Sequence, residues 1–131
     1  MAIRFVDPNN AVSFREVVNA DPEFKIAARY MTKDILIDAG AARCIIKLRD
    51  GVLTMIKPDE GFADSWNFAI RATADAWEKF LMPIPPRFFD GLFGGMIRGN
   101  FILEGDTVGA FGHFWAVTRM LDIFRDLQNK A

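Results

Sequence analysis

The stretch that most constrains the fold is "RCIIKLRDGVLTMIK", residues 43 to 57. Two apolar-rich runs flank Asp50-Gly51, and an Asp-Gly pair in that setting is a strong signal for a tight hairpin. In the first run Cys44, Ile46 and Leu48 point one way, while Arg43, Ile45, Lys47 and Arg49 point the other. One buried face and one largely wet face follow, the pattern of an antiparallel meander. Three further runs extend the sheet. "DILIDAG" precedes the hairpin, and "SWNFAIRA" sets Trp66, Phe68 and Ile70 against Asn67, Ala69 and Arg71. Residues 98 to 104 read as a fifth strand with Phe101 and Leu103 on one face.

Helices account for most of the rest. Asp7-Pro8 and Asp21-Pro22 each read as an N-cap followed by proline at the first helical position. They predict helices over about residues 8–20 and 22–31. The first puts Phe14, Val17 and Val18 on one face; the second repeats Phe24, Ala27, Ala28 and Met31 at helical spacing. Thr73 caps a predicted helix to about residue 82, with Trp77 and Leu81 inward, and "PIPP" at 83 to 86 must stop it. "RFFDGLFGGM" predicts a short helix with Phe89, Leu92, Phe93 and Met96 in register, ended by Gly94-Gly95. Asp106 caps a last helix reaching about residue 127, and "PDEGFAD" is a loop. Every helix has an apolar face to bury and one side of the sheet is polar. The helices therefore collect on one face, giving a two-layer α/β (α+β) fold of a single domain over residues 1–131.

The charge pattern excludes several functions. Net charge is −1, and no long basic run exists, so the electrostatic footprint of a nucleic-acid binder is missing. No window of about 18 uninterrupted apolar residues occurs, so stable membrane insertion is not expected. One cysteine, Cys44, cannot form an internal disulfide, and "MAIRFVDPNN" lacks a signal-peptide core. The expectation is a protein of the reducing cytoplasm. Cys44 on a buried strand face reads as a small core residue. His113 is the only histidine, with no nucleophile motif beside it, and reads as structural. Asp59, Glu60 and Asp64 read as a solvated loop cluster rather than a metal site, and the "GLFGGMIRG" glycines lack the Lys-Ser/Thr of a phosphate loop. Arg43, Lys47 and Arg49 form a basic row on the outer sheet face, read as solvated. No cofactor, metal or catalytic residue is expected.

The aromatic residues stand out against this background: thirteen phenylalanines and one tyrosine. Phenylalanine is large and has no polar handle, so each ring seeks an apolar neighbourhood. On the last helix Ala110, Phe114, Val117, Leu121 and Phe124 form one stripe, which is enough to dock it. Phe111, Trp115 and Thr118 form a second stripe that needs its own cover: the Pro-rich segment, a ligand, or the other subunit of a homodimer. Phe88, Phe89, Phe93 and Met96 raise the same question, because Pro85-Pro86 and Gly94-Gly95 flank them. The two groups can meet over the sheet face that carries Phe68 and Phe101.

Four stretches in order give the chain a resemblance to the sterol-carrier-protein-2 family, especially its small stand-alone bacterial members. "DPEFKIAARYMTKDILID" resembles the family's opening helix and first strand, and "CIIKLRDGVLTMI" its hairpin. "ADSWNFAIRATADAWEKFL" resembles its strand and acidic-aromatic helix, and "GNFILEGD" its closing strand. They cover about residues 20 to 125. The "PIPPRFFDGLFGG" segment is longer and more aromatic than the family's short loop, and no peroxisomal Ser-Lys-Leu-like tail is present. The resemblance implies a five-stranded mixed sheet with helices on one face and an apolar tunnel between the layers. It implies non-catalytic binding and carriage of a fatty acid, fatty acyl-CoA, sterol or similar lipid. Phe68, Phe88, Phe89, Phe93, Met96, Phe101, Phe111 and Trp115 are the candidate ligand-binding residues. Two alternatives stay open. One is an enzyme or accessory subunit acting on a hydrophobic small molecule, with Asp64, Glu104 or His113 as its acid-base groups. The other is an interaction module with an aromatic face.

Overall fold

The computed structural model describes residues 3–40, 42–58, 65–89, 91–98 and 100–130. The hairpin is where the sequence put it. Strands β2 (Arg43–Arg49) and β3 (Val52–Pro58) flank Asp50 and Gly51, whose φ values of 54° and 82° are those of a two-residue turn that follows the right-handed strand twist. The Gly51 N–H reaches the Met31 carbonyl at 2.9 Å, and a Cβ at Gly51 would sit 2.9 Å from the Ala28 carbonyl oxygen. The turn is therefore clamped to the chain just before the sheet begins.

Strand β1 (Lys33–Asp38) pairs antiparallel with β2, bringing Ile35 opposite Ile46 and Leu36 opposite Ile45. On its other side β1 runs parallel to β4 (Phe68–Arg71), which pairs antiparallel with β5 (Ile102–Gly105). The order β3-β2-β1-β4-β5 makes one mixed five-stranded sheet.

Six helices accompany it among the described residues: α1 (Ala11–Ala20), α2 (Pro22–Ala27), α3 (Ala74–Phe80), α4 (Leu92–Arg98), α5 (Thr107–Gly112) and α6 (Phe114–Gln128). Asp21, Thr73 and Asp106 cap α2, α3 and α5 by accepting from the N–H groups of Phe24, Ala76 and Gly109. Asp7 caps a 3-10 turn, Pro8–Asn10, rather than α1 itself. The segment before α1 is tied to the end of α6: Arg4 Nη1 donates to the Leu127 carbonyl at 2.6 Å, and the Arg4 N–H to Gln128 Oε1 at 2.8 Å.

Six expectations need correction. The fifth strand starts at Ile102 instead of 98, because Arg98 still belongs to α4. Trp66 lies on the face of Ala69, not on that of Phe68 and Ile70. The second helix stops at Ala27 instead of 31, because Tyr30 takes a left-handed φ of 67° as the chain turns into β1. Gly94-Gly95 does not end a helix but lies inside α4, which begins only at Leu92. Here glycine serves close approach, since a Cβ on Gly95 would come 3.1 Å from the Phe101 ring. The last helix is two helices, broken at His113. Finally, Ile45 is not on a wet face. It is fully buried with Leu36 and Ala69, in line across β2, β1 and β4, and Trp66 packs against them. The Arg71 guanidinium lies 5.6 Å from the centre of the Trp66 ring.

The main core lies on the opposite face, where Ile35, Ile37, Cys44, Ile46, Leu48, Phe68 and Ile70 meet the helices. An ion pair closes one side of the helical layer. Arg119 on α6 donates twice to Asp21, at 2.9 and 2.8 Å, and so binds α6 to the start of α2. These bonds hold the Asp21 carboxyl below its ordinary value; partial burial opposes them, and the capped Phe24 N–H helps.

Two stability predictions follow from this packing. Gly105 has φ 90°, and a Cβ there would sit 2.7 Å from the Asn67 carbonyl oxygen and 2.9 Å from the Trp66 ring. Gly105→Ala should cost about 2–3 kcal/mol in urea unfolding. Gly112→Ala, with open space around its position, should cost nothing or gain slightly. At Asp21, a carboxyl with a depressed folded pKa contributes stability above its ordinary value of 3.8 and loses it as pH falls through the folded value. Asp21→Asn keeps an N-cap oxygen but removes the charge. It should cost about 1–2 kcal/mol at neutral pH. That difference should shrink in unfolding curves as pH falls below the ordinary aspartate value and vanish only below the lowered folded value.

Candidate functional site

The rings are arranged in two connected groups. The inner group lies between the sheet and the helices. Phe101 touches Trp77 at 4.9 Å, Phe80 at 5.5 Å and Phe89 at 6.4 Å between ring centres. Trp77 continues to Phe5 at 5.5 Å, and Phe5 stacks on Phe124 at 4.9 Å, which meets Phe14. The Trp77 indole N–H is satisfied by the Asp38 carbonyl at 2.9 Å. The outer group lies at the end of the helical layer, where Phe114 stacks on Phe111 at 6.0 Å and meets Phe93 edge-on at 6.5 Å.

Phe114 keeps its place in the docking stripe, packed part-buried against the core, and also meets the two outer rings. The His113 N–H still bonds back to the Gly109 and Ala110 carbonyls, and α6 restarts at Phe114 without a side-chain cap. Phe114 thus stands half-buried between Phe93 on α4 and Phe111 on α5. Gly112 beside His113 was the available signal for the helix break, because glycine favours a helix end. Asp106 fixes the start of α5, and the Lys33 ammonium, 2.9 Å away on β1, holds its carboxyl below the ordinary range.

The other candidates fall as follows. Phe68 and Phe101 are closed into the core, Phe68 on the sheet face and Phe101 between Trp77, Phe80 and Gly95. Phe89 and Met96 are partly buried against that core. Phe88 and Phe89 precede α4 instead of lying on it. Phe88 has a left-handed φ of 71°, and the Arg87 and Arg98 guanidinium groups lie 5.0 and 5.7 Å from its ring centre. Arg125 on α6 anchors this segment, donating to the Phe80 carbonyl at 2.7 Å and the Phe89 carbonyl at 3.2 Å. Phe93 is 57% exposed and Phe111 about half exposed. Trp115, 78% exposed, stands apart from these two. It borders a cleft between α2 and α6 with Glu23, Ala27, Thr118, Arg119 and Asp122. So the second stripe is not covered by the Pro-rich segment: Phe111 leans on Phe114, and Trp115 faces that cleft. The Thr118 hydroxyl is buried without a hydrogen-bond partner.

The acid-base groups are dispersed. Glu104 on β5 accepts from Arg71 at 2.8 Å, and Arg71 also binds Asp38 at 2.7 Å. His113 lies at the helix break, and Cys44 is buried in the core. Asp59, Glu60 and Asp64 lie outside the described residues. Among the described residues no three His, Cys, Asp or Glu side chains are grouped to hold a metal ion. The outer basic row is partly neutralised, because Asp34 binds Arg49 at 2.6 Å and approaches Lys47 at 3.8 Å.

No protein-family model and no curated protein matches the sequence. Solved structures do match the fold. The crystal structure of sterol carrier protein 2 superposes with a TM-score of 0.76 at 16% identity, over 92% of this chain and 97% of that one. The solution structure of a conserved hypothetical protein from Thermus thermophilus, described as possibly a sterol carrier protein, gives 0.68 at 15% identity, over 96% and 87%. A UbiJ-SCP2 ubiquinone synthesis protein gives 0.56 at 14% identity, over 86% and 90%. The chain therefore has the sterol-carrier-protein-2 fold, as its four sequence stretches implied.

The two ring groups should separate in stability measurements. Phe101→Ala empties a site closed by Trp77, Phe80 and Phe89, and should cost about 3–5 kcal/mol in denaturant unfolding. Phe93→Ala removes a half-exposed ring and should cost under about 1 kcal/mol.

Proposed function

We propose that this chain binds and carries a hydrophobic ligand without catalysis, and that the ligand seats at the α4–α5–α6 end of the helical layer. The observation that carries the reading is the outer ring group. Phe93, Phe111 and Phe114 form an aromatic surface that the protein itself leaves partly uncovered, on a fold shared with sterol carrier protein 2. Folding gains little from a ring left in water, whereas an acyl chain moved onto such a surface gains about 0.8 kcal/mol per buried methylene.

The inner rings shape where the ligand goes. From Phe14 to Phe101 they occupy the middle of the space between sheet and helices. A chain-like ligand would therefore start at the outer group and extend inward only as far as Phe89 and Met96, which pack on the rim of the core. Phe88 and Trp115 would flank the seat, while Phe68 and Phe101 would form its floor. A fatty acid, a fatty acyl-CoA or a sterol suits this chemistry, because the described side chains of the seat are rings and hydrocarbon. Among the described residues Glu104 is held in an ion pair with Arg71, and His113 lies at the helix break within electrostatic reach of Asp106. The reduced, buried Cys44 fits action in the cytoplasm.

A fluorescent fatty acid titrated into the protein should bind with a micromolar Kd or tighter, about −8 kcal/mol. Phe93→Ala/Phe111→Ala should weaken it at least about tenfold, or 1.4 kcal/mol, at unchanged unfolding midpoint. Failure of every fatty acid, acyl-CoA and sterol to displace a hydrophobic dye would overturn the reading.

A further inference from the structure

The outer ring group continues into a surface that a soluble ligand cannot cover. Ile97, 61% exposed, follows Phe93 by four residues and shares its face of α4. Val108, 84% exposed, precedes Phe111 by three and shares its face of α5. Phe114 joins the two faces through its contacts with Phe93 and Phe111. The same surface carries two arginines, Arg87 and Arg98, whose guanidinium groups lie 5.0 and 5.7 Å from the centre of the Phe88 ring and have no carboxylate partner among the described residues.

We propose that this face, formed by α4, α5 and the Phe88 turn, docks the protein on an anionic lipid bilayer. Exposed aromatic and branched aliphatic side chains beside unpaired arginines are what an interfacial surface requires. The apolar groups enter the headgroup–acyl boundary, and the guanidinium groups meet lipid phosphates. Charge complementarity selects this occupant over a second copy of the chain. A two-fold contact would set the same pair of unpaired arginines against each other. The chain's net charge of −1 also gives it no general attraction to an anionic surface, so any attraction must be local. Docking here would bring the bilayer to the ring group where the ligand is proposed to seat, but the surface itself does not depend on that reading.

Co-sedimentation of the intact protein with phosphatidylglycerol and with phosphatidylcholine vesicles tests this. The protein should pellet with the anionic vesicles and far less with the zwitterionic ones, and high salt should weaken the binding. Arg87→Gln/Arg98→Gln keeps a planar amide over the Phe88 ring and removes only charge. It should lower partitioning about tenfold, while fatty-acid displacement of a dye, measured without vesicles, stays unchanged. Ile97→Ser/Val108→Ser, at two exposed positions, should lower partitioning by a similar factor. Equal pelleting on both lipids, no pelleting, or pelleting insensitive to both variants would overturn the proposal. So would a concentration-dependent dimer that Ile97→Ser/Val108→Ser abolishes in the absence of vesicle binding. Loss of dye displacement with vesicle binding intact would count against the ligand reading alone.

Discussion

The structure depends on one continuous run of ring contacts. From Phe14 through Phe124, Phe5 and Trp77 to Phe101 each aromatic side chain touches the next, and Phe101 touches Phe80 and Phe89 in turn. The run joins the segment before α1 to the chain around β5, elements distant in sequence that share few backbone hydrogen bonds. Phenylalanine suits the purpose because it can be closed in without a polar partner. The one indole in the run finds its acceptor on the strand beneath it, at Asp38. Close approach then matters more than helix propensity. That is why α4 tolerates Gly95 in its interior: the Phe101 ring occupies the space a Cβ would need.

With the middle of the layer filled, the remaining rings are left at its end. Phe111 and Phe114, three residues apart across the break at His113, stack on each other as neighbours on a helix surface can, and Phe114 alone of the two meets Phe93 on α4. Ordered elements with filled cores hold this group from both sides: α5 through Asp106 and Lys33, and the segment before α4 through Arg125. This chain thus presents an aromatic group where α4, α5 and α6 meet.

Much of the fold was legible because it is written in local chemistry. Asp50-Gly51 specified its turn, Asp21-Pro22 and Thr73 their helix starts, and the alternation in β2 one buried face. What escaped reading depends on partners distant in the chain. The burial of Ile45 needs Leu36 and Ala69 in register on two neighbouring strands, and neither strand alone shows it. The meaning of Gly94-Gly95 lies in the Phe101 ring and the Phe88 carbonyl. The same limit applies to the candidate site. Composition revealed a surplus of aromatic residues. Sorting Phe68 and Phe101 into the core, Phe93 and Phe111 onto the surface, and Trp115 into a separate cleft required the packing.

The central claim is that the outer ring group, not the inner run, receives the ligand. Intermolecular NOEs between carbon-13-labelled oleate and the protein's aromatic protons test it most directly. The account predicts NOEs to Phe93, Phe111 and Phe114, fading at Phe89 and absent from Phe5, Phe14 and Phe124. NOEs centred on Phe5 and Phe124, or on the Trp66 cluster of the opposite sheet face, would contradict it.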